Sequence, residues 1–237
     1  RWRRRDKGPL FDVLRFDKIA LDLLKTILWG SGLSGQVPAA AVGHIKSNAA
    51  LALADLQLIL AAAPMNAAPY FKPFVQPYTD AYALKGIFLT PTSRGEVLLK
   101  DKHPTSEPMI VQNFLSTEHD RLAIREMIKI MRQMGSHGEF AKFSDGEIFP
   151  GPGVQSDVDI DQFIASNAIT LHHPVGTCKM GLASDPLSVV NSHLQVHGAK
   201  GLRVVDGSVL PRILRGPVNA PIMMMAEKIS DHLLEGL

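Results

Sequence analysis

The 237-residue chain is 46% hydrophobic and 20% charged, which is typical of an ordinary globular protein. Its length is enough to bury one sizeable hydrophobic core, or one and a half such cores. Its 25 basic and 23 acidic side chains leave a formal net charge of +2. So small a charge gives no electrostatic reason to expect nucleic-acid binding. No apolar run is long enough to predict a membrane span. Cys178 is the only cysteine, so no intrachain disulfide can form and a reducing compartment is favoured. We therefore expect a cytoplasmic protein, with peripheral attachment to a membrane as the open alternative.

The first third of the chain predicts a helix, a strand and a loop, in that order. Apolar residues at helical spacing, with charged residues between them, indicate a helix over about 12–29. The alternating run ALADLQLIL, at 52–60, predicts a strand whose solvated face carries Asp55 and Gln57. Repeated prolines over 64–80 predict a loop without regular structure.

The segment WGSGLSGQVP, at 29–38, has the G-x-G-x-x-G spacing of a dinucleotide-binding loop. Such a loop works only between a buried strand and a helix N-terminus, where the helix dipole meets the pyrophosphate. Here a helix comes before the glycines, and Pro38 opposes a helix directly after them. Gly30 and Gly32 are therefore predicted to end the helix and begin a loop.

Two strands and two helices are expected in the middle of the chain. The run at 82–100 indicates two strands around a turn, the second over 95–100. The clearest helix covers 117–134, where Thr117 and Asp120 form the pattern of an N-terminal cap. The apolar residues on or near one face of this helix are Leu122, Ile124, Ile128 and Met131. A hinge-like linker at 148–157 leads into a short capped helix over 156–168.

The character of the sequence changes at Leu171. LHHPVGTCKMG predicts a rigid loop, and GLRVVDGSVLP, at 201–211, predicts a buried strand that ends in an Asp-Gly turn. A terminal helix follows, with Pro221 near its first turn, where proline is tolerated. Its predicted inner stripe consists of Ile222, Met225, Ile229 and Leu233. So short and strand-poor a tail is expected to dock on a larger body.

Histidines and the cysteine cluster in this tail, which raises the question of a metal site or a nucleophile. The cluster consists of His172, His173, Cys178, His193 and His197. Structural zinc takes four ligands in tight pairs, usually with Cys-x-x-Cys, whereas this tail has one thiol and histidines on loops. Cys178 has no evident group to activate it as a nucleophile and is predicted to be a small buried hydrophobe. No metal is therefore expected.

The tail as a whole carries a stronger signal than any pair of residues within it. HHPVGTCKMG, VVNSHLQVHGAKGLRVVDGSVLP and GPVNAPIMMMAEKISDHL follow one another almost without gaps from about Leu171 to Leu233. Together they closely resemble the C-terminal signature of the glucose-methanol-choline (GMC) oxidoreductases, which are FAD-dependent alcohol dehydrogenases and oxidases. A looser similarity continues upstream over 91–116.

The resemblance implies a role for individual residues of this tail. His173 corresponds to the catalytic histidine of the family, and Asn219 corresponds to its partner, which is His or Asn in different members. Asp206 and Gly207 correspond to the turn that approaches FAD, and Ala220 and Pro221 to the point where the terminal helix meets the flavin. Gln195 and Val196 match, more weakly, a stretch that lines the substrate pocket. His172 receives no role.

These assignments agree with the chemistry of alcohol oxidation, in which a base takes the hydroxyl proton while hydride leaves carbon for flavin N5. Imidazole is suited to that proton transfer near neutral pH. The amide of Asn219 can orient the alcohol oxygen, and Asn219 could also cap the helix, a role that is compatible with contact to the substrate. The N-terminus of the terminal helix would stabilise the anionic reduced flavin, and Gly207 permits close backbone approach.

The resemblance implies an α+β fold. An antiparallel-sheet substrate-binding domain with helices would occupy 1–165, and 166–237 would be the C-terminal strand-helix segment of an FAD-binding α/β domain. The family's nucleotide loop would lie upstream of these residues, so an N-terminal FAD-binding half is expected as a partner, either as a separate chain or as a further segment. The other expected partners are an alcohol substrate and an electron acceptor, O₂ or a quinone.

Two other functions remain open from the sequence. A hydroxynitrile lyase of the same fold would use the same histidine for acid-base cleavage without net redox chemistry. A non-catalytic apo fragment would tolerate loss of His173 and bind no flavin with any partner.

Overall fold

The computed structural model describes residues 1–35 and 39–236, which form a mixed α+β structure. The strands are β1 (Trp2–Arg4), β2 (Ala39–Ile45), β3 (Leu56–Ala61), β4 (Ala81–Phe88), β5 (Glu96–Leu98), β6 (Met109–Val111) and β7 (Ser144–Glu147). The helices are α1 (Pro9–Val13), α2 (Phe16–Trp29), α3 (Glu118–Ser136), α4 (Gly138–Ala141), α5 (Asp157–Asn167) and α6 (Asn219–Leu234). None of the described helices combines the length and the hydropathy needed to cross a membrane.

The chain forms two units, each assembled from two stretches of sequence. The first unit contains Arg1–Phe88 and Leu122–Asn167, and the second contains Leu89–Arg121 and the chain from Ala168 onward. The domain limits expected at 165/166 concern the complete protein and stay a prediction.

The first unit is built on a five-stranded antiparallel sheet with the strand order β2-β3-β4-β1-β7. Leu56 and Leu58 of β3 are buried, as the alternating pattern predicts. They pack in one cluster with Trp2 of β1 and with Met127 and Met131 of α3. The predicted antiparallel sheet with helices is therefore confirmed.

Asp55 departs from the prediction of a solvated face. Its side chain is buried, and its Oδ1 accepts a hydrogen bond from the Ser47 N–H at 2.7 Å. The Ser47 hydroxyl donates to the other carboxylate oxygen. A buried carboxylate needs such donors, which a pattern of alternating residues does not reveal.

The predicted helices are present, with two differences. The first helix breaks at Leu14 and Arg15 into α1 and α2, because the backbone of Arg15 is extended.

In α3, Thr117 Oγ1 accepts a hydrogen bond from the Asp120 N–H at 3.3 Å, as the capping pattern predicts. Leu122, which was expected on the inner face of α3, is 48% exposed. In α5, Ser156 and Asp159 exchange hydrogen bonds at the N-terminus, as expected for a capped helix.

Two strand predictions are wrong in their pairing. The strands predicted to flank one turn, β4 and β5, belong to different sheets, because β5 pairs with β6. The strand predicted over 201–211 is reduced to a single bridge between Gln195 and Arg203, followed by a 3₁₀ turn at Gly207–Val209. Leu202, expected to be buried there, is 53% exposed. A strand requires β-pairing along its length, and among the described residues this segment forms a β-bridge only at Arg203.

The glycines after α2 serve the helix end, as predicted. Gly30 has the left-handed conformation, with φ 65°, and its N–H donates to the Thr26 carbonyl at 2.9 Å. A Cβ at Gly32 would lie 1.9 Å from Thr26 Oγ1, so only glycine fits where the loop passes the helix. The role expected for Pro38 lies outside the described residues.

Candidate active site

All the predicted site residues lie in the second unit, where the loop at 171–181 carries His173. His172 has a φ of 61°, an unusual conformation for a residue with a Cβ, and its N–H donates to Thr170 Oγ1 at 3.0 Å. Further along, the Cys178 N–H donates to the Ser208 carbonyl at 3.0 Å, and the Met180 N–H donates to the Val209 carbonyl at 2.8 Å. The histidine loop is therefore fixed to the 3₁₀ turn that follows Asp206.

Gly207 is the point where the predicted segments meet. A Cβ built on Gly207 would lie 3.0 Å from Ile222 Cδ1 in the first turns of α6 and 4.0 Å from the Pro174 carbonyl oxygen beside His173. The histidine loop, the Asp-Gly turn and the start of α6 therefore converge on one backbone position. A Cβ at this position would press on the end of the Ile222 side chain, which would have to shift by a few tenths of an ångström.

The start of α6 has no side-chain cap. Its N-cap is Val218, and the first intrahelical hydrogen bond runs from the Ile222 N–H to the Val218 carbonyl at 3.1 Å. Asn219 and Ala220 are exposed, and Pro221 is half-buried and has no N–H. The alternative that Asn219 caps the helix is therefore not realised, and a 16-residue helix directs an uncapped positive dipole end at this region.

The Asp206 side chain stabilises its own turn. Its Oδ1 accepts hydrogen bonds from the Ser208 N–H at 2.8 Å and from the Ser208 hydroxyl. The residue itself is exposed. The carboxylate therefore holds the Asp-Gly turn in shape.

The two predicted catalytic side chains are available for a substrate. His173 is half-buried and Asn219 is exposed. Within residues 1–35 and 39–236, neither the ring nitrogens of His173 nor the side-chain amide of Asn219 has a hydrogen-bond partner. Imidazole and amide groups with unused donors and acceptors are the groups that can bind and orient an alcohol hydroxyl.

Gln195 and Val196 line a cavity of about 410 Å³ together with Asn191, Lys200 and Arg203. The lining of this cavity does not include His173 or Asn219. Gln195 Oε1 accepts a hydrogen bond from the Asn191 amide at 3.0 Å, and Val196 packs on a buried cluster. Their predicted role in the substrate pocket stays a prediction.

Sequence reasoning missed the positive φ of four residues with a Cβ in this unit, two of which lie beside predicted site residues. His172, beside the predicted base, and the buried Leu194, beside Gln195, both have positive φ, of 61° and 59°. Neither residue type favours that region, so no signal in the sequence identifies them. In the described part of the chain, no three His, Cys, Asp or Glu side chains are placed to share a metal ion.

The family of the chain follows from comparison with known proteins. The family model described as GMC oxidoreductase matches residues 91–226, more than half of the chain. The chain belongs to the GMC oxidoreductase family. The match covers the histidine loop, the Asp-Gly turn and the start of α6, so the convergence at Gly207 lies inside the region that defines the family.

Curated relatives of this GMC chain include choline dehydrogenases. An oxygen-dependent choline dehydrogenase from Brucella anthropi is 42% identical over 142 residues, 60% of this chain and 26% of the relative. The enzyme of the same name from Klebsiella pneumoniae is 36% identical over 212 residues, 86% of this chain and 36% of the relative. The chain therefore spans about a third or less of the length of these relatives.

Solved structures share the fold. Pyridoxine 4-oxidase from Mesorbium loti has a TM-score of 0.70 at 29% identity, over 82% of this chain and 38% of its own. A variant of formate oxidase from Aspergillus oryzae RIB40, studied for FAD modification, has a TM-score of 0.81 at 24% identity, over 97% of this chain and 44% of its own. In both cases the shared fold extends over less than half of the solved chain.

Proposed function

We propose that the complete protein containing this chain oxidises an alcohol to an aldehyde or ketone, with FAD as cofactor and His173 as base. The observation that supports this proposal most directly is the convergence of the histidine loop, the Asp-Gly turn and the start of α6 on Gly207. The choline dehydrogenases among its relatives make choline the first alcohol to test.

The residues of the second unit fit FAD. Asp206 is exposed and Gly207 is half-buried in the Asp-Gly turn, and Ala220 and Pro221 stand at the N-terminus of α6, which has no side-chain cap. A partial positive charge at that end stabilises an anionic ring edge. When bound, FAD would supply the acceptor for the hydride that leaves the alcohol carbon.

The residues of this chain would accept the proton of the substrate and orient the substrate. A ring nitrogen of His173 takes the hydroxyl proton of the alcohol, and the amide of Asn219 donates a hydrogen bond to the same oxygen. The two short hydrogen bonds from Cys178 and Met180 to the 3₁₀ turn hold the histidine loop, which keeps the base in place between turnovers. The partners are an N-terminal FAD-binding half and an electron acceptor, O₂ or a quinone.

His173→Ala in the complete protein tests the proposal. We expect bound flavin to remain, while its anaerobic reduction by choline or another alcohol slows by about 10²–10⁴-fold, the usual contribution of a general base. The matched control is His193→Ala, an exposed loop histidine of the same unit, which should leave the rate unchanged. Unchanged flavin reduction in the His173 variant would refute its role as base. Cleavage of a cyanohydrin without flavin reduction would favour a hydroxynitrile lyase.

A further inference from the structure

The helix α2 of the first unit turns its apolar side chains outward. None of its residues is buried, and the exposed fractions of Phe16, Leu24 and Ile27 are 62%, 48% and 77%. The other exposed apolar side chains of this helix are Leu21, Leu23, Leu28 and Trp29. Apart from Trp29, they lie on one broad side of the helix at 100° per residue. So many large apolar groups on one 14-residue helix exceed the scattered exposure of an ordinary surface.

Polar side chains of α2 contact the loop that directly follows the helix. Asp22 and Thr26 are half-buried, and Asp22 Oδ1 accepts a hydrogen bond from the Leu33 N–H at 3.1 Å. The loop after the helix passes so close that a Cβ at Gly32 would overlap Thr26. A surface helix of a complete globular protein has the opposite arrangement, with its apolar stripe inward. The orientation of α2 therefore requires an apolar neighbour on its outer side.

A loop of aromatic residues extends this surface. The rings of Phe16 and Phe71 are 6.5 Å apart, and those of Phe71 and Phe74 are stacked at 5.9 Å. Paired hydrogen bonds between Phe71 and Val75 close the loop, and Phe74 is 81% exposed. We call the outer side of α2 together with Phe71 and Phe74 the α2 face. Its rigid backbone and large apolar groups suit a permanent contact.

We propose that the α2 face is the docking surface for the N-terminal FAD-binding half of the same enzyme. The chain occupies 44% of the length of the formate oxidase that shares its fold, so more than half of such a protein lies outside it. The proposal rests on the proposed function, because that function supplies the identity of the docking half.

The charges of α2 favour this occupant over a lipid surface. Lys18 and Lys25 are matched by Asp17 and Asp22, so the helix has no net positive charge. Helices that lie on membranes typically carry an excess of Lys and Arg on the polar side, which attracts anionic headgroups. Here an acidic side chain, Asp22, forms part of the contact with the loop.

The test measures the accessibility of α2 in the complete flavoprotein. Ile27→Cys and Lys18→Cys are made separately on a Cys178→Ser background, and maleimide labelling is followed by mass spectrometry. The apolar-face position should label about tenfold or more slowly than the Lys18 position, because a covered site reacts only after local opening. In the wild-type protein, hydroxyl-radical oxidation of Phe16 and Phe74 gives the same information without substitution.

The outcomes separate this proposal from the proposed function. Rapid labelling of both positions in a protein that binds FAD and oxidises alcohol would overturn the docking surface alone. Slow labelling of Ile27→Cys in a protein without alcohol oxidation would support docking while the proposed function fails. Protection that disappears on dilution would overturn the proposal in favour of a second copy, and protection that requires anionic phospholipid vesicles would overturn it in favour of a membrane.

Discussion

Single residues of this protein are held by contacts that their sequence neighbours do not reveal, and Asp120 is the clearest case. Its carboxylate is 2% exposed and accepts hydrogen bonds from the N–H groups of Thr92 and Ser93, each at 2.8 Å. Burial by itself raises the pKa of Asp120, but hydrogen bonds from Ser93 and Thr92 outweigh it and hold the pKa well below its usual range. The carboxylate therefore joins the start of α3 to the segment before β5.

Asp120→Asn should lower the free energy of unfolding by about 2–3 kcal/mol at pH 7, because one of the two N–H groups would face an amide NH₂. Since the pKa of Asp120 is lower in the folded state, its stabilising effect is present above about pH 4, the unfolded value, and is lost as the pH falls below it. The variant should therefore lose less stability than the wild type between pH 5 and about pH 2. Urea unfolding across that range measures both effects. Asp6→Asn, at an exposed position, is the control, and equal values for the two variants would contradict the account.

At the scale of elements, close packing decides where glycine is required. The helix α3 approaches the sheet so closely that a Cβ at Gly135 would lie 2.1 Å from Cε2 of Trp2. Trp2 is 6% exposed and its ring is stacked on Tyr82 at 5.8 Å, so it has no room to move. The other glycine at this contact is Gly86 of β4, which faces Met127 of α3. The glycine in the last turn of α3 is thus explained by its contact with the sheet.

Gly135→Ala separates helix propensity from packing. Propensity alone would stabilise α3 by about 1 kcal/mol, but overlap with a buried ring destabilises the fold by about 1–3 kcal/mol. We expect a net loss, seen as a lower midpoint of thermal unfolding followed by circular dichroism. Gly138→Ala, where a Cβ would have no atom within 4 Å, should leave the midpoint unchanged or raise it. An increase at both positions would show that Trp2 can move aside.

At the scale of the whole molecule, the chain carries only part of what the proposed FAD binding would require. Its described residues offer the Asp-Gly turn and the start of α6, whereas the nucleotide loop implied by the family resemblance belongs to the N-terminal half. The chain covers 26% and 36% of two choline dehydrogenase relatives. We therefore assign the proposed function to the complete protein and not to this chain alone.

We expect the 237-residue chain to lose FAD on desalting and the complete protein to retain it, because adenine and pyrophosphate contacts supply much of the affinity for a dinucleotide. Absorbance near the flavin bands, read before and after a desalting column, is the measurement. The chain incubated with FAD is compared with the complete protein at equal concentration. Stable flavin on the chain alone would show that an N-terminal half is unnecessary for cofactor binding.

The sequence by itself determined the helices α3, α5 and α6, the end of α2 at Gly30 and the family resemblance of the tail. These features depend on residues that are close in sequence, through helical periodicity, caps and a left-handed glycine. The local sequence is therefore enough to predict them. The motif order was enough to name His173 and Asn219 as candidates, although their roles stay predictions.

Only the tertiary structure decided the separation of β4 from β5, the burial of Asp55, the outward apolar side of α2 and the convergence at Gly207. Each depends on residues that are distant in sequence or, for α2, on which side of the helix the body of the chain covers. A periodic pattern shows that a helix has an apolar side but does not show what covers it. Long-range contacts select among the arrangements that the local pattern allows, and for this reason they appear only once the chain is folded.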